Sequence, residues 1–218
     1  EQNSEILEKQ EQIQQMLDEV MSEELKQLMD ELNKMMEQMN DNLMEQLKEQ
    51  IDISLDDLSK QLDKNLEILK KMKIEQQLNQ IVDKIETLKE KQDELIENID
   101  NNADLSEIAD EQENIKNDLK DLKEQYQDIN DENSELDDML PLLDFNNEFN
   151  ELEKEINQSI DNQKKNNKSK SKKSMQNNSQ SMENLAFMMQ QMIDSAFEEA
   201  NAENLEDFFT ESFVNESK

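Results

Sequence analysis

The chain has 218 residues, with no glycine, cysteine, histidine or tryptophan and a single proline, which excludes disulfides, thiol chemistry and histidine-based metal sites and makes a turn-rich fold improbable. Its 23 basic residues are all lysine and stand against 56 acids, a formal charge of −33 that repels phosphate backbones and anionic headgroups, so neither nucleic acid nor direct membrane contact is expected. The hydrophobic set is 33% of the chain. That is too little for a thick core but enough for narrow stripes on long helices, and the expected class is all-α, with extended coiled-coil-like helical hairpins.

Residues 1–140 read as long amphipathic helices. Leu25, Leu28, Leu32, Met35 and Met39 step 3-4-3-4, the seam of a heptad with a period of 3.5. From Met39 the step becomes four through Leu43, Leu47, Ile51 and Leu55, and a break is predicted near 52–54, where Ser54 and Asp57 form a capping pair. The next stripe runs Leu55, Leu58, Leu62, Leu66, Leu69, then Leu78, Ile81, Ile85 and Leu88, to core places near Leu95 and Ile99. It ends at Asn101-Asn102-Ala103-Asp104, where Asp104 caps the following helix, a tight connection that folds two long helices back antiparallel.

The third segment carries the cleanest heptad, with Ile108, Ile115, Leu122, Ile129 and Leu136 every seven residues beside Leu105, Gln112, Leu119, Tyr126 and Asn133. Gln112 and Asn133 occupy core places. They either fix register as buried polar groups or mark a partly exposed, weakly packed stripe. Pro141 biases Leu140 away from helical geometry and breaks the chain at 138–144.

A short helix is expected at 141–161 after the proline turn, on Phe145, Phe149, Leu152, Ile156 and Ile160. Residues 162–181, rich in Lys, Asn and Ser, show no apolar period and are expected to form a flexible linker. Its six lysines, Lys164, Lys165, Lys168, Lys170, Lys172 and Lys173, lack arginine and aromatic neighbours, so a solvated or intramolecular role outweighs a nucleic-acid one. Residues 182–218 read as a Met/Phe-rich C-terminal amphipathic helix. Met182, Leu185, Met189, Met192, Phe197, Phe208, Phe209 and Phe213 are its candidate partner-binding residues, and the other reading covers this seam by the chain's own helices against Phe145 and Phe149.

No residue stands out as catalytic, cofactor-binding or metal-ligating, and no cofactor is expected. Carboxylates on solvated helices keep ordinary pKa values and do no acid-base work. Without glycine there is neither a phosphate-cradling loop nor the sharp turn of an EF-hand. The methionines, seven of 14 before position 45, serve either as pliable core filler or as an adaptable docking surface.

Three strings, Leu28-Met-Asp-Glu-Leu-Asn-Lys-Met-Met-Glu-Gln-Met-Asn-Asp, Leu43-Met-Glu-Gln-Leu-Lys-Glu and Leu62-Asp-Lys-Asn-Leu-Glu-Ile-Leu-Lys-Lys-Met-Lys-Ile-Glu-Gln-Gln-Leu, precede the Pro141 turn, the lysine-rich stretch and Met182–Met192. In this order they resemble the long helical region of a family of large, membrane-anchored, coiled-coil proteins of Bacteroidota that carries only a domain-of-unknown-function label. The resemblance spans about residues 20–195 and implies transmembrane helices outside this sequence, a cell-envelope location and no enzymatic activity. Position 1 is a glutamate inside an already helical pattern, so the sequence is expected to be part of a longer chain.

The expected function is therefore that of a structural or scaffolding segment of a cell-envelope-associated protein. It acts through protein partners held at helical seams, with self-association a further option. The alternative is a soluble, acidic, chaperone-like or adaptor module.

Overall fold

The computed structural model describes residues 55–101 and 103–214, together with residues 8, 9, 12, 13, 15 and 16, which are helical. Side chains are described for 60 and 62–197 within the longer stretches, apart from residue 102. The Met-rich heptad at 25–51 and the break near 52–54 lie outside the described residues.

Two units divide the chain, Ile74–Phe209 on the one hand and Glu1–Lys73 with Thr210–Lys218 on the other. Four helices occupy the longer described stretches: α1 (Leu55–Asp100), α2 (Leu105–Ser134), α3 (Asn146–Lys164) and α4 (Lys168–Val214). The described residues contain no strand, so the protein is all-α there. In the unit that begins at Glu1, Lys9 Nζ is ion-paired with Asp63 at 2.9 Å.

Within Ile74–Phe209 the helices form an antiparallel four-helix bundle, and polar pairs along each seam give its direction. Lys84 donates to Gln125 at 3.0 Å and Lys91 lies 3.8 Å from Asp118, so α2 runs back along α1. Lys116–Asn157, Lys123–Asn150 and Gln127–Asn146 repeat this between α2 and α3 without a slip in register. Asn162–Ser174 and Ser159–Asn178 join α3 to α4. Lys172–Asp100 and Ser179–Asp93 then close the ring by setting α4 against α1. Each helix is thus antiparallel to its neighbours in an up-down-up-down order, the arrangement that short connections favour.

The connections follow from local chemistry. Asp104 has extended backbone angles, and its carboxylate accepts the Ser106 N–H at 2.9 Å, which satisfies an orphan donor at the start of α2. The α2–α3 loop contains Pro141, which offers no N–H to a helix. Asn133 holds this loop from inside, its Nδ2 donating to Leu140 O and its Oδ1 accepting from Leu140 N, each at 2.9 Å. Between α3 and α4 the chain reverses at Lys165–Asn167, with Asn166 at φ 54°, a left-handed conformation that asparagine tolerates better than most residues.

The main core draws on all four helices. Ile74, Leu78, Ile81 and Ile85 of α1 meet Ile115, Leu119, Leu122 and Tyr126 of α2, Phe149, Leu152 and Ile156 of α3, and Met182, Leu185, Met189 and Met192 of α4. A smaller cluster of Ile99, Leu105, Ile108 and Met175 sits toward the α1–α2 turn.

One expected element is corrected. Residues 168–181 are not a linker but the first turns of α4, and the break at 162–181 shrinks to the three-residue reversal. The helix buries Ser171, Met175, Asn178 and Ser179 on the same face that Met182 and Leu185 continue. This stretch and the expected C-terminal helix are therefore one 47-residue helix. Tertiary burial of small polar side chains holds it in place, a signal that apolar periodicity does not carry.

Candidate functional site

Of the candidate partner-binding residues, Met182, Leu185, Met189, Met192 and Phe197 are buried in the bundle core. They share this core with Phe145 and Phe149, so the chain's own helices cover this stretch. Phe208 and Phe209 lie on α4 and Phe213 near its end, beyond the residues whose side chains are described.

Met192 shows what the seam does instead. Its sulfur accepts the Leu143 N–H at 3.1 Å and lies 3.6 Å from the Tyr126 hydroxyl, which donates to the Leu143 carbonyl. Tyr126 packs edge-on against Phe145, with ring centroids 5.6 Å apart, and stands 6.3 Å from Phe149. The proline loop is thereby tied to α2 and α4 through one phenol and one thioether. Burial, opposed by the hydrogen bond with Asn130 and aided by the Asp144 charge, pushes the Tyr126 pKa up to about 12.

Around Met175 of the smaller cluster lies a polar layer built from every helix. Gln92, Gln112, Ser159, Ser171 and Asn178 are fully buried and Gln163 nearly so. Gln112 donates to Gln92 Oε1, and Gln92 donates to the Met175 carbonyl at 3.4 Å. Gln163 and Ser171 both direct donors at Met175 Sδ, at 3.2 and 3.7 Å, and Asn178 donates to Ser159 Oγ at 3.1 Å. Three carboxamide oxygens, Gln112 Oε1, Gln163 Oε1 and Asn178 Oδ1, have no protein partner. A buried acceptor left unmade costs about 1–3 kcal/mol, so this layer is expensive unless something donates to it.

The solvent side of α4 carries exposed apolar residues. Phe187 is 62% exposed and Met188 36%. Phe187 lines a groove of about 420 Å³ with Ala186, Glu183 and Gln190 of α4 and Glu86, Lys89 and Glu90 of α1. Ala186 is small enough to open the groove between two helix backbones. Lys89 is committed to Asp93, at 2.7 Å. Partial burial alone would raise the Asp93 carboxyl, but hydrogen bonds from Lys89 and Ser179 and the Lys89 charge outweigh it and hold Asp93 below its ordinary value. The hydrogen bond and charge of Asp93 raise Lys89 in turn. The rim that remains is Glu86, Glu90 and Glu183, a net acidic lining around an exposed aromatic ring.

Phe187 lay off the 3-4-3-4 seam and was not among the sequence candidates. A signal was nevertheless present. Leu185-Ala186-Phe187-Met188-Met189 is five consecutive apolar residues, and a helix face cannot bury all of a continuous run.

The lysine-rich stretch has an internal role. Lys172 Nζ lies 2.6 Å from Asp100 and Lys164 Nζ 3.9 Å from Glu113, placing positive charge beside the acid-rich α1–α2 turn. Such exposed pairs contribute little stability individually. Among the described residues no group of three or more Asp and Glu side chains is placed to hold a metal ion, and no helix is long and apolar enough to cross a membrane.

Among the described residues, fold and surface together define an acidic antiparallel helical bundle with a buried polar layer and an acid-rimmed aromatic groove. Comparison with protein-family models, with curated proteins and with solved structures finds no match to this chain.

Proposed function

We propose that this chain is a scaffolding module that works by protein–protein contact, and that the α1–α4 groove around Phe187 is where a partner docks. The supporting observation is the ring itself, 62% exposed in a groove whose rim carries Glu86, Glu90 and Glu183. Aromatic anchors of this kind carry much of the energy of an interface, and complementary rim charge selects the partner. The occupant is an amphipathic helix that inserts an aliphatic anchor beside Phe187 and sets lysines or arginines against the acids. The chain's own acid-rich N-terminal segment has the wrong charge for that place. Binding rather than turnover is the mechanism, and the family resemblance adds a cell-envelope setting.

Titration calorimetry of the full chain with a lysine-rich amphipathic peptide tests this. Saturable binding is expected, lost on Phe187→Glu with helicity and melting unchanged, and not reproduced by a peptide with the same apolar face and glutamates in place of lysines. Equal affinity of the native chain and Phe187→Glu would overturn the assignment.

A further inference from the structure

We propose that the polar layer is an internal hydration site, in which at least two ordered water molecules, each with two O–H groups, donate to Gln112 Oε1, Gln163 Oε1 and Asn178 Oδ1. The unpartnered atoms are oxygens of side chains that are fully or almost fully buried, so bulk solvent does not serve them. Turning the carboxamides over does not remove the need. A turned Asn178 accepts from Ser159 but leaves its amide nitrogen where the oxygen stood. A turned Gln163 sets an oxygen against the Met175 sulfur, and a turned Gln112 sets one against Gln92 Oε1. Each orientation leaves a polar atom at the same place.

The occupant is small and both donates and accepts, because donors and acceptors share this layer. An apolar guest would leave all three oxygens unmade. A metal ion would find three neutral carboxamides and a thioether, and no group of three acidic side chains is placed to hold one among the described residues. Water fits, since buried waters characteristically make about three hydrogen bonds to groups of this kind. The layer also explains why the core is two clusters rather than one. Gln92 and Gln112 stand at places where the 3-4 spacing of α1 and α2 calls for apolar residues, and Ile99, Leu105 and Ile108 of the smaller cluster lie beyond them.

Oxygen-17 relaxation dispersion of the full chain measures water molecules held far longer than surface hydration. A long-lived water signal is expected in the native chain and is reduced at least by half in Gln112→Leu/Gln163→Leu, with helicity by circular dichroism unchanged. Nuclear Overhauser contacts between water and the side-chain amides of Gln112, Gln163 and Asn178 give a second reading on the unmodified chain, which holds even if the double variant fails to fold. Absence of both the signal and the contacts in the folded native chain would overturn the proposal, as would a full signal in a folded double variant.

Discussion

Asn133 and Leu140 are joined twice, each serving the other as donor and acceptor, so that one side chain does for the proline loop what a paired backbone does in a sheet. The helix α2 ends at Ser134, and without Asn133 the buried Leu140 N–H loses its partner while the Leu140 carbonyl keeps only the Leu142 N–H, at 2.8 Å.

Replacing Asn133 by alanine strands the buried Leu140 N–H and leaves its carbonyl only the Leu142 N–H, and a loss of about 1–3 kcal/mol is expected in urea unfolding. Gln127→Ala, which removes only an exposed bond to Asn146, should change stability by under about 0.5 kcal/mol. Equal effects of the two changes would refute the clamp.

Tyr126 is the one tyrosine of the chain, so its ionisation is read directly by ultraviolet absorbance. With the folded pKa raised to about 12 from the ordinary tyrosine value of 10.0, the folded state holds this proton more tightly than the unfolded one. Its contribution is complete below pH 10.0 and is lost as pH climbs from there towards about 12. Tyrosinate should therefore appear together with loss of helix. A midpoint near 10 with helicity intact would contradict the burial of the phenol.

Met189→Ala should destabilise the bundle by about 2–5 kcal/mol, as a fully buried methionine does when a cavity replaces it. Met188→Ala, at the solvent edge of the same turn, should cost far less. Deleting residues 182–218 should abolish the cooperative transition, whereas an unchanged melting curve would show that this segment is no part of the core.

The helical class, the reversal at Asp100–Leu105 and the buried rows of α2 were legible because leucine and isoleucine recur there at 3-4 spacing and Asp104 supplies a recognisable cap. Gln112 and Asn133 stood in those rows, but whether they were buried depended on partners outside α2, Gln92 of α1 and the Leu140 backbone of the proline loop. The start of α4 was illegible for a related reason. Ser171, Asn178 and Ser179 continue the buried face at helical spacing, yet their composition is that of a disordered segment. Phe187 escaped because a seam argument seeks what is buried, and this ring is exposed.

The polar layer separates parts of unequal strength, and amide hydrogen exchange should show it. Amides of Gln92–Ile108 should exchange at least about tenfold faster than those of Ile115–Ile129, since fewer apolar contacts hold the turn end closed. Gln92→Leu/Gln112→Leu should narrow that gap while leaving overall stability equal or higher. Uniform exchange along α1 and α2 would argue against separate opening.

The ring of helices is closed by the pair most distant along the chain, with Lys172 and Ser179 of α4 returning to Asp100 and Asp93 of α1. Every other seam joins helices that are consecutive in the chain. Folding therefore has a natural order: the hairpins α1–α2 and α3–α4 form as local events, and the slow step is their docking along the α2–α3 and α1–α4 faces. Substitutions on the α4–α1 seam then act mainly on how fast the bundle comes apart, and those within a hairpin on how fast it assembles.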